Sequence, residues 1–353
     1  MKLYHGDCLE ELKKIPDNSV DSIVTDPPYG LSNTKPQQVA DVLKAWVTGD
    51  PAAVPAKKGG FMGKDWDSFV PPPAVWEECM RVLKPGGHMA VFAGARTQDL
   101  MGLSIRLAGF EIRDGLSWIY TSGFPGGSMD LSKSFDRAAG ELATESKGFT
   151  VAGYGHNDKL LTTAPSRGYI PPEPVTEDAK KWKGWQTLLK PAHEPIVLAR
   201  KPMVGTLVQN VKRYGTGAMN IDSTRVEDRW PSNIILDDNA AEEFKGQTGE
   251  DAETFFHVFR HSKKASKKER PVIEREDGTK IQHPTVKPVA LMEWLVELIT
   301  PPNGTVLDPF AGSGTTLQAA LNKGFTPIGI EQDADYIKLI EKRLEGLCTT
   351  HKN

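Results

Sequence analysis

Two adjacent prolines stop a strand near the start of this chain, and the rest of the sequence must be arranged around that stop. Val20-Asp21-Ser22-Ile23-Val24-Thr25 is a short run with β-branched residues and reads as a buried strand. It leads directly into Asp26-Pro27-Pro28-Tyr29-Gly30. Neither proline has a backbone N–H. Each fixes its own φ and drives the residue before it into an extended conformation. The result is a stiff corner with free carbonyls, one carboxylate and one aromatic ring at the C-terminal end of a strand. In an open α/β sheet that edge is where ligands bind. Asp26 and the Pro27 carbonyl can both accept from an –NH₂ group, and Tyr29 can lie against a ring face. The corner therefore suits a planar molecule that bears an amino group.

The flanking sequence alternates between strand and helix. Lys2-Leu3-Tyr4 predicts a strand and Leu9 to Leu12 a short helix, with Gly6-Asp7 at the turn between them, where Asp is a favoured N-cap. Residues 72–83 predict an amphipathic helix ended by Lys84-Pro85-Gly86-Gly87. A strand at 88–94, a helix at 97–108 and a strand at 111–120 follow. This rhythm is the sign of a doubly wound, mostly parallel sheet. The stretch 30–64 reads as irregular, either a lid over the corner or an insertion.

The rhythm breaks twice. Residues 123–190 hold one helical piece in Gly-, Pro- and Trp-rich sequence and read as an insertion. Residues 191–202 predict a strand of the same sheet, at its edge, paired with 111–120. Residues 203–281 again lack the rhythm and carry the basic run Lys263, Lys264, Lys267, Lys268 and Arg270. Unaided, such a run is a solvated face. The rhythm resumes at His283, with an apolar helix at 291–299, strands at 305–307 and 326–330, and helices at 315–322 and 336–347. The chain thus divides into a corner-bearing half (1–122), the two interruptions around one strand, and a second half (282–353).

That second half carries Asp308-Pro309-Phe310-Ala311-Gly312-Ser313-Gly314-Thr315-Thr316 between a strand and a helix. Glycines two apart allow a tight turn and close approach of a ligand. The new helix starts with free N–H groups and a positive dipole end, which attract a carboxylate or phosphate. The spacing lacks the third glycine of a dinucleotide site and the lysine of a P-loop. Glu331 ends the very next strand, where an acidic residue can hold both hydroxyls of a ribose. The alternative is an ordinary strand–helix turn followed by a solvent-facing glutamate.

Composition excludes other classes. The three cysteines, Cys8, Cys79 and Cys348, are scattered with no ligand spacing, so neither a disulfide framework nor a metal site is expected. No apolar run reaches the length of a membrane span, and the N-terminus has no apolar signal core, so a cytoplasmic protein without membrane contact is expected. A net charge of −3 leaves room for a local basic face.

The two motifs together resemble the S-adenosylmethionine-dependent amino-methyltransferases of DNA, which carry D-P-P-Y at the target-base site and F-x-G-x-G at the cofactor site. The order here, base motif first, resembles the β-class. His283 to Pro288, Gly6-Asp7-Cys8, Met62 to Trp66, Leu189 to Ile196 and Arg229 to Asn233 extend the resemblance along nearly the whole chain, in the manner of phage and prophage adenine methylases. It implies a circularly permuted Rossmann-like methyltransferase sheet with an inserted target-recognition region. It also implies S-adenosyl-L-methionine as cofactor, double-stranded DNA as partner, and a bacterial or phage-infected cell as the setting. Family members often pair, so a homodimer is compatible with it. A stand-alone methylase, not one fused to a restriction enzyme, is expected.

The family's roles map as follows. Phe310 packs against the cofactor; Gly312, Ser313, Gly314, Thr315 and Thr316 meet its amino-acid end, and Asp308 its ammonium. Glu331 takes the ribose hydroxyls. Asp7 and Cys8 lie at the adenine, and Thr285 and Lys287 near the methionine carboxylate. Asp26, Pro27, Pro28 and Tyr29 hold a flipped base, and the basic run meets phosphates. Asp26 favours N6 of adenine over N4 of cytosine, where Ser commonly stands. Enzymes acting on protein glutamine or RNA usually carry Asn there.

Overall fold

The computed structural model describes residues 1–32, 34–55, 67–121, 129–141, 173–259, 270–275, 277–345 and 347. The chain divides into two compact units, Met1–Tyr120 with His193–Asn353, and Thr121–Ala192.

The first unit begins with β1 (Lys2–His5), α1 (Cys8–Leu12), β2 (Val20–Thr25), α2 (Pro36–Thr48), α3 (Pro73–Val82), β3 (Leu83–Phe92), α4 (Gln98–Leu107) and β4 (Glu111–Ile119). The second unit holds α5 (Leu131–Ala138) and α6 (Glu177–Lys181). There the Asp136 carboxylate ties the two helices by accepting from Thr176 N and Val175 N. The first unit resumes with β5 (His193–Arg200), α7 (Leu207–Tyr214), β6 (Ile234–Asp237), α8 (Asp238–Thr248), β7 (His257–Phe259) and a small hairpin of β8 (Ile273–Glu274) and β9 (Lys280–Ile281). It ends with α9 (Val289–Ile299), β10 (Thr305–Asp308), α10 (Thr315–Asn322), β11 (Thr326–Glu331) and α11 (Ala334–Leu344).

Among the described residues, nine strands form one sheet in the order β1-β11-β10-β2-β3-β5-β4-β6-β7. Every neighbouring pair is parallel except the two that involve β5. Alternate residues of the central strands feed two cores. Ile23, Met89, Val91 and Leu307 pack with apolar residues of α1 to α4, whereas Val24, Ala90, Phe92 and Val306 pack with those of α9 and α10. A sheet covered on both faces explains why β2 is buried at all six positions.

Strand order reverses between β10 and β2. From β10 the chain crosses through α10 to β11 on one side; from β2 it crosses through α3 to β3 on the other. The cleft at the C-terminal ends of these two neighbours is the switch point of the sheet, where open α/β folds bind ligands. The cofactor-type turn follows β10 and the proline corner follows β2. Motifs nearly three hundred residues apart in sequence thus start from adjacent strands.

Three expectations need correction. The strand at 193–200 lies inside the sheet, between β3 and β4, not at its edge. Its Ile196-Val197-Leu198-Ala199 run is apolar on both faces, the pattern of an interior strand. The α/β rhythm does not stop at 203, because β6 and β7 extend the sheet in parallel beyond β4. The stretch 30–64 is not wholly irregular: Pro36 opens α2, and Val39, Val42, Leu43 and Trp46 at helical spacing pack on the core.

Candidate active site

The proline corner is held from outside by two side chains. The buried Asp67 carboxylate accepts through Oδ1 from the backbone N–H of Tyr29 (2.7 Å) and of Gly30 (3.0 Å). The Thr97 hydroxyl donates to the Tyr29 carbonyl at 2.6 Å. Gly30 lies at φ +66°, and a Cβ there would stand 2.6 Å from the Val70 nitrogen, so the chain leaves the corner only through glycine.

Inside the corner, four side chains form one network. Tyr29 Oη lies 2.7 Å from Asp26 Oδ1 and 3.0 Å from Glu194 Oε2. The Lys287 ammonium is 2.5 Å from Asp26 Oδ2 and 3.2 Å from Glu194 Oε2. It also donates to Tyr29 Oη at 3.0 Å and lies over the ring faces of Tyr29 and Phe92. Only 7% of the Lys287 side chain is exposed. Burial alone would lower its pKa, but Asp26 and Glu194 outweigh that and raise it, so it remains an ammonium. Burial, then the charges of Asp26 and Glu194, pushes the Tyr29 phenol well above its usual range, so it remains a donor.

The second turn is coupled to the first. Thr25, the last residue of β2, donates to Asp308 Oδ1 at 2.6 Å. Asp308 also accepts from Phe310 N at 3.1 Å, and Thr316 adds a side-chain hydrogen bond. Burial raises the Asp308 carboxyl to about 6 against those hydrogen bonds. Gly312 and Gly314 lie at φ +53° and +79°. Gly314 is the N-cap of α10, and no side chain caps that helix. Glu331 Oε2 accepts from Gly312 N and Oε1 from Asp333 N, both at 2.8 Å. Burial raises Glu331 to about 7 despite those N–H groups. The Phe310 ring lies 6.2 Å from that of Trp76.

This donor set fits an S-adenosylmethionine-type molecule. The uncapped end of α10 offers N–H groups to a carboxylate, Asp308 would take an ammonium, Glu331 a diol, and Phe310 a ring. The bound donor supplies an electrophilic methyl on sulfur.

Other sequence-identified residues fall in different places. Gly6 N donates to the Glu331 carbonyl at 3.0 Å, which brings Asp7 and Cys8 beside Glu331. Asp7 caps α1, accepting from Leu9 N at 3.0 Å. Burial, then Asp7, pushes the Cys8 thiol up to about 12, so it is no nucleophile at neutral pH. Ser313 Oγ is 3.2 Å from Thr315 Oγ1, and Arg343 donates to the Ser313 carbonyl at 2.6 Å. Thr285 is exposed. Lys287, expected at the methionine carboxylate, has its ammonium on Asp26 and Glu194 instead, because those two carboxylates compensate its burial. Lys263, Lys264, Lys267 and Lys268 lie outside the described residues, and Arg270 is half-buried.

Asp67 and Thr97 lie outside the sequence motifs, and Glu194 and His283 fall inside motifs that give them no role of their own. His283 Nε2 would meet a Cβ on Gly312 at 3.0 Å, its ring stacks edge-on against Tyr336, and burial lowers it to about 4, so a neutral ring backs the glycine turn. For Glu194 a signal existed: an acidic residue two positions before the apolar run Ile196 to Ala199 of a strand. An antiparallel strand begins where its parallel neighbours end, so its first residues reach the same cleft.

The family model described as DNA methylase matches residues 20–342. The Type II methyltransferase M.HindIII of Haemophilus influenzae is 27% identical over 370 aligned positions, covering 97% of this chain and 94% of that protein. The DNA adenine methyltransferase YhdJ of Escherichia coli K12 is 27% identical over 346, covering 97% and 82%. Among solved structures, the PvuII DNA methyltransferase, described as cytosine-N4-specific, matches the fold with a TM-score of 0.51 at 16% identity, covering 97% and 85%. With its corner and cofactor turn meeting at one switch point and a family match over most of its length, this chain belongs to the DNA methylases, S-adenosyl-L-methionine-dependent enzymes that methylate exocyclic amino groups of bases.

Proposed function

We propose that this protein methylates the N6 amino group of adenine in double-stranded DNA, at a specific sequence and on a base flipped out of the helix. The observation that carries the reading is the aspartate at the corner, Asp26, standing one residue beyond Thr25, which is hydrogen-bonded to Asp308 of the cofactor turn. A base inside a duplex cannot reach a methyl donor, so it must leave the stack. Tyr29 stacks on the flipped ring. The lone pair of an adenine amino group is delocalised into the ring and is a poor nucleophile. Asp26 and the Pro27 carbonyl, both acceptors, favour a tetrahedral nitrogen whose lone pair points at the methyl. As positive charge grows on that nitrogen, the Asp26 carboxylate stabilises it in a site shielded from water. The nitrogen then releases a proton, and no covalent bond to the enzyme is formed.

Target recognition is assigned to 123–190 and 203–281. Lys263, Lys264, Lys267, Lys268 and Arg270 contribute phosphate contacts that position the duplex without reading it. N4 methylation of cytosine uses the same corner chemistry and is the competing reading. The relative YhdJ, described as an adenine methyltransferase, supports the adenine assignment. The test incubates the protein with unmodified duplex DNA and donor labelled in its methyl group, then digests the DNA and identifies the labelled nucleoside. Label in N6-methyladenine supports the assignment; label only in N4-methylcytosine, or none in DNA, rejects it.

A further inference from the structure

We infer that Glu194 sets the charge at the catalytic corner by sharing Lys287 with Asp26, and so acts as a positioning residue for methyl transfer. The inference rests on the amino-methylation reading above.

Glu194 lies at the start of β5, Asp26 just past β2, and Lys287 in the segment before α9. These three segments are far apart in sequence, yet their charged atoms meet in one cluster. A transferred methyl leaves a positive charge growing on the target nitrogen. The only acidic side chain assigned to that nitrogen is Asp26. An ammonium 2.5 Å from Asp26 Oδ2 opposes that function, because it already neutralises the carboxylate. Glu194 changes the sum. Its Oε2 lies 3.2 Å from the same ammonium and 3.0 Å from the Tyr29 hydroxyl that also bonds Asp26. Two carboxylates and one ammonium sum to −1, which is the charge the developing cation requires. Without Glu194 the remaining Asp26–Lys287 pair is neutral.

Lys287 has its own part in this balance. Two carboxylates bridged by one phenol repel each other. A buried ammonium between them offsets that repulsion, and the ring faces of Tyr29 and Phe92 support its charge. Glu194 is therefore distinct from a simple structural partner of Lys287. Its loss should be repaired by removing the lysine charge as well.

The test measures single-turnover methyl transfer to duplex DNA at saturating donor for wild type, E194Q, E194D, K287M and the E194Q/K287M double variant. Donor affinity is titrated separately. E194Q is expected to slow transfer roughly ten- to hundredfold with donor affinity unchanged, since it removes one charge from a poorly screened site. E194D keeps the charge and stays within about fivefold of wild type. The double variant, whose corner again sums to −1 through Asp26 alone, transfers at least about tenfold faster than E194Q. Should K287M fail to fold, the comparison of E194Q with the double variant, which buries no unmatched carboxylate at 194, still decides. Wild-type rates in E194Q, or a double variant no faster than E194Q, overturn the inference while leaving the methylation reading intact. A wild-type protein that labels no DNA overturns the reading, and the inference with it.

Discussion

Asp67 accepts the backbone N–H of Tyr29 at 2.7 Å, across 38 residues of sequence, and it is this carboxylate that holds the proline corner in shape. The same oxygen takes the N–H of Gly30, so one side chain satisfies two donors that the turn cannot satisfy itself. Asp67→Ala leaves both N–H groups buried without that acceptor. A loss of about 1–3 kcal/mol per orphaned group is the usual scale. The expected outcome is a lower midpoint in urea unfolding and a slower methyl-transfer step, with donor affinity less affected than transfer, because both N–H groups belong to the proline corner and not to the cofactor turn. Unchanged unfolding and turnover would show that the corner holds itself.

Asp26→Ala removes the acceptor that the proposed mechanism sets against the target nitrogen and leaves Lys287 ion-paired with Glu194 alone. Loss of a group that stabilises transition-state charge costs about 10²–10³ in rate. Transfer should fall by at least that factor while donor binding, read by titration, remains measurable. Equal loss of donor binding would place Asp26 in the cofactor site instead.

Gly314 combines two constraints. At φ +79° it pays no Cβ penalty, and a Cβ there would press on Ile340 Cγ1 and Cγ2 at 3.1 Å. Gly324→Ala is the matched control, because its φ is +77° and its Cβ would point into open space. Backbone strain in this region costs about 1–2 kcal/mol. Gly324→Ala should lose that much stability and keep donor affinity. Gly314→Ala should lose more, and donor affinity with it, since the crowding displaces the start of α10. Calorimetric unfolding and donor titration of the two variants separate the contributions; identical behaviour would remove the packing argument.

How much of this was legible in the sequence follows from how local each cause is. The turn glycines at 312 and 314, the N-cap Asp7 and the strand stop at Pro27 are set by their immediate neighbours, and each could be read. The helix at 36–48 was equally local: Val39, Val42, Leu43 and Trp46 keep helical spacing, but the Pro and Gln around them masked it. Glu194 and Asp67 are different. Their partners lie 165 and 38 residues away, and neither carries a pattern that names a partner. The place of β5 inside the sheet was hidden for the same reason: an apolar run shows that a strand is buried, not which strands flank it. Lys287 is legible as a site residue, but its ion pairs with Asp26 and Glu194 are not, because both carboxylates come from segments distant in sequence.

The cofactor turn should respond to pH through Glu331 and Asp308. Burial raises Glu331 from its usual 4.5 to about 7, and Asp308 from 3.8 to about 6. The folded protein without donor therefore binds these protons more tightly than the unfolded chain does. The stabilisation this gives is full below the unfolded values, near pH 4, and is lost as pH rises through 6 to 7. Donor affinity runs the other way, because a carboxylate, not a carboxylic acid, accepts both hydroxyls of a ribose and pairs with an ammonium. Affinity should climb between about pH 5 and 8, where the two carboxyls ionise. Glu331→Gln removes the upper part of that climb and flattens the matching fall in the unfolding midpoint, leaving the Asp308 portion near pH 6. Donor titration and thermal unfolding across the range, on wild type and the variant, give both curves. A wild-type affinity that is flat from pH 5 to 8, or a variant with an unchanged profile, would remove Glu331 from the donor site.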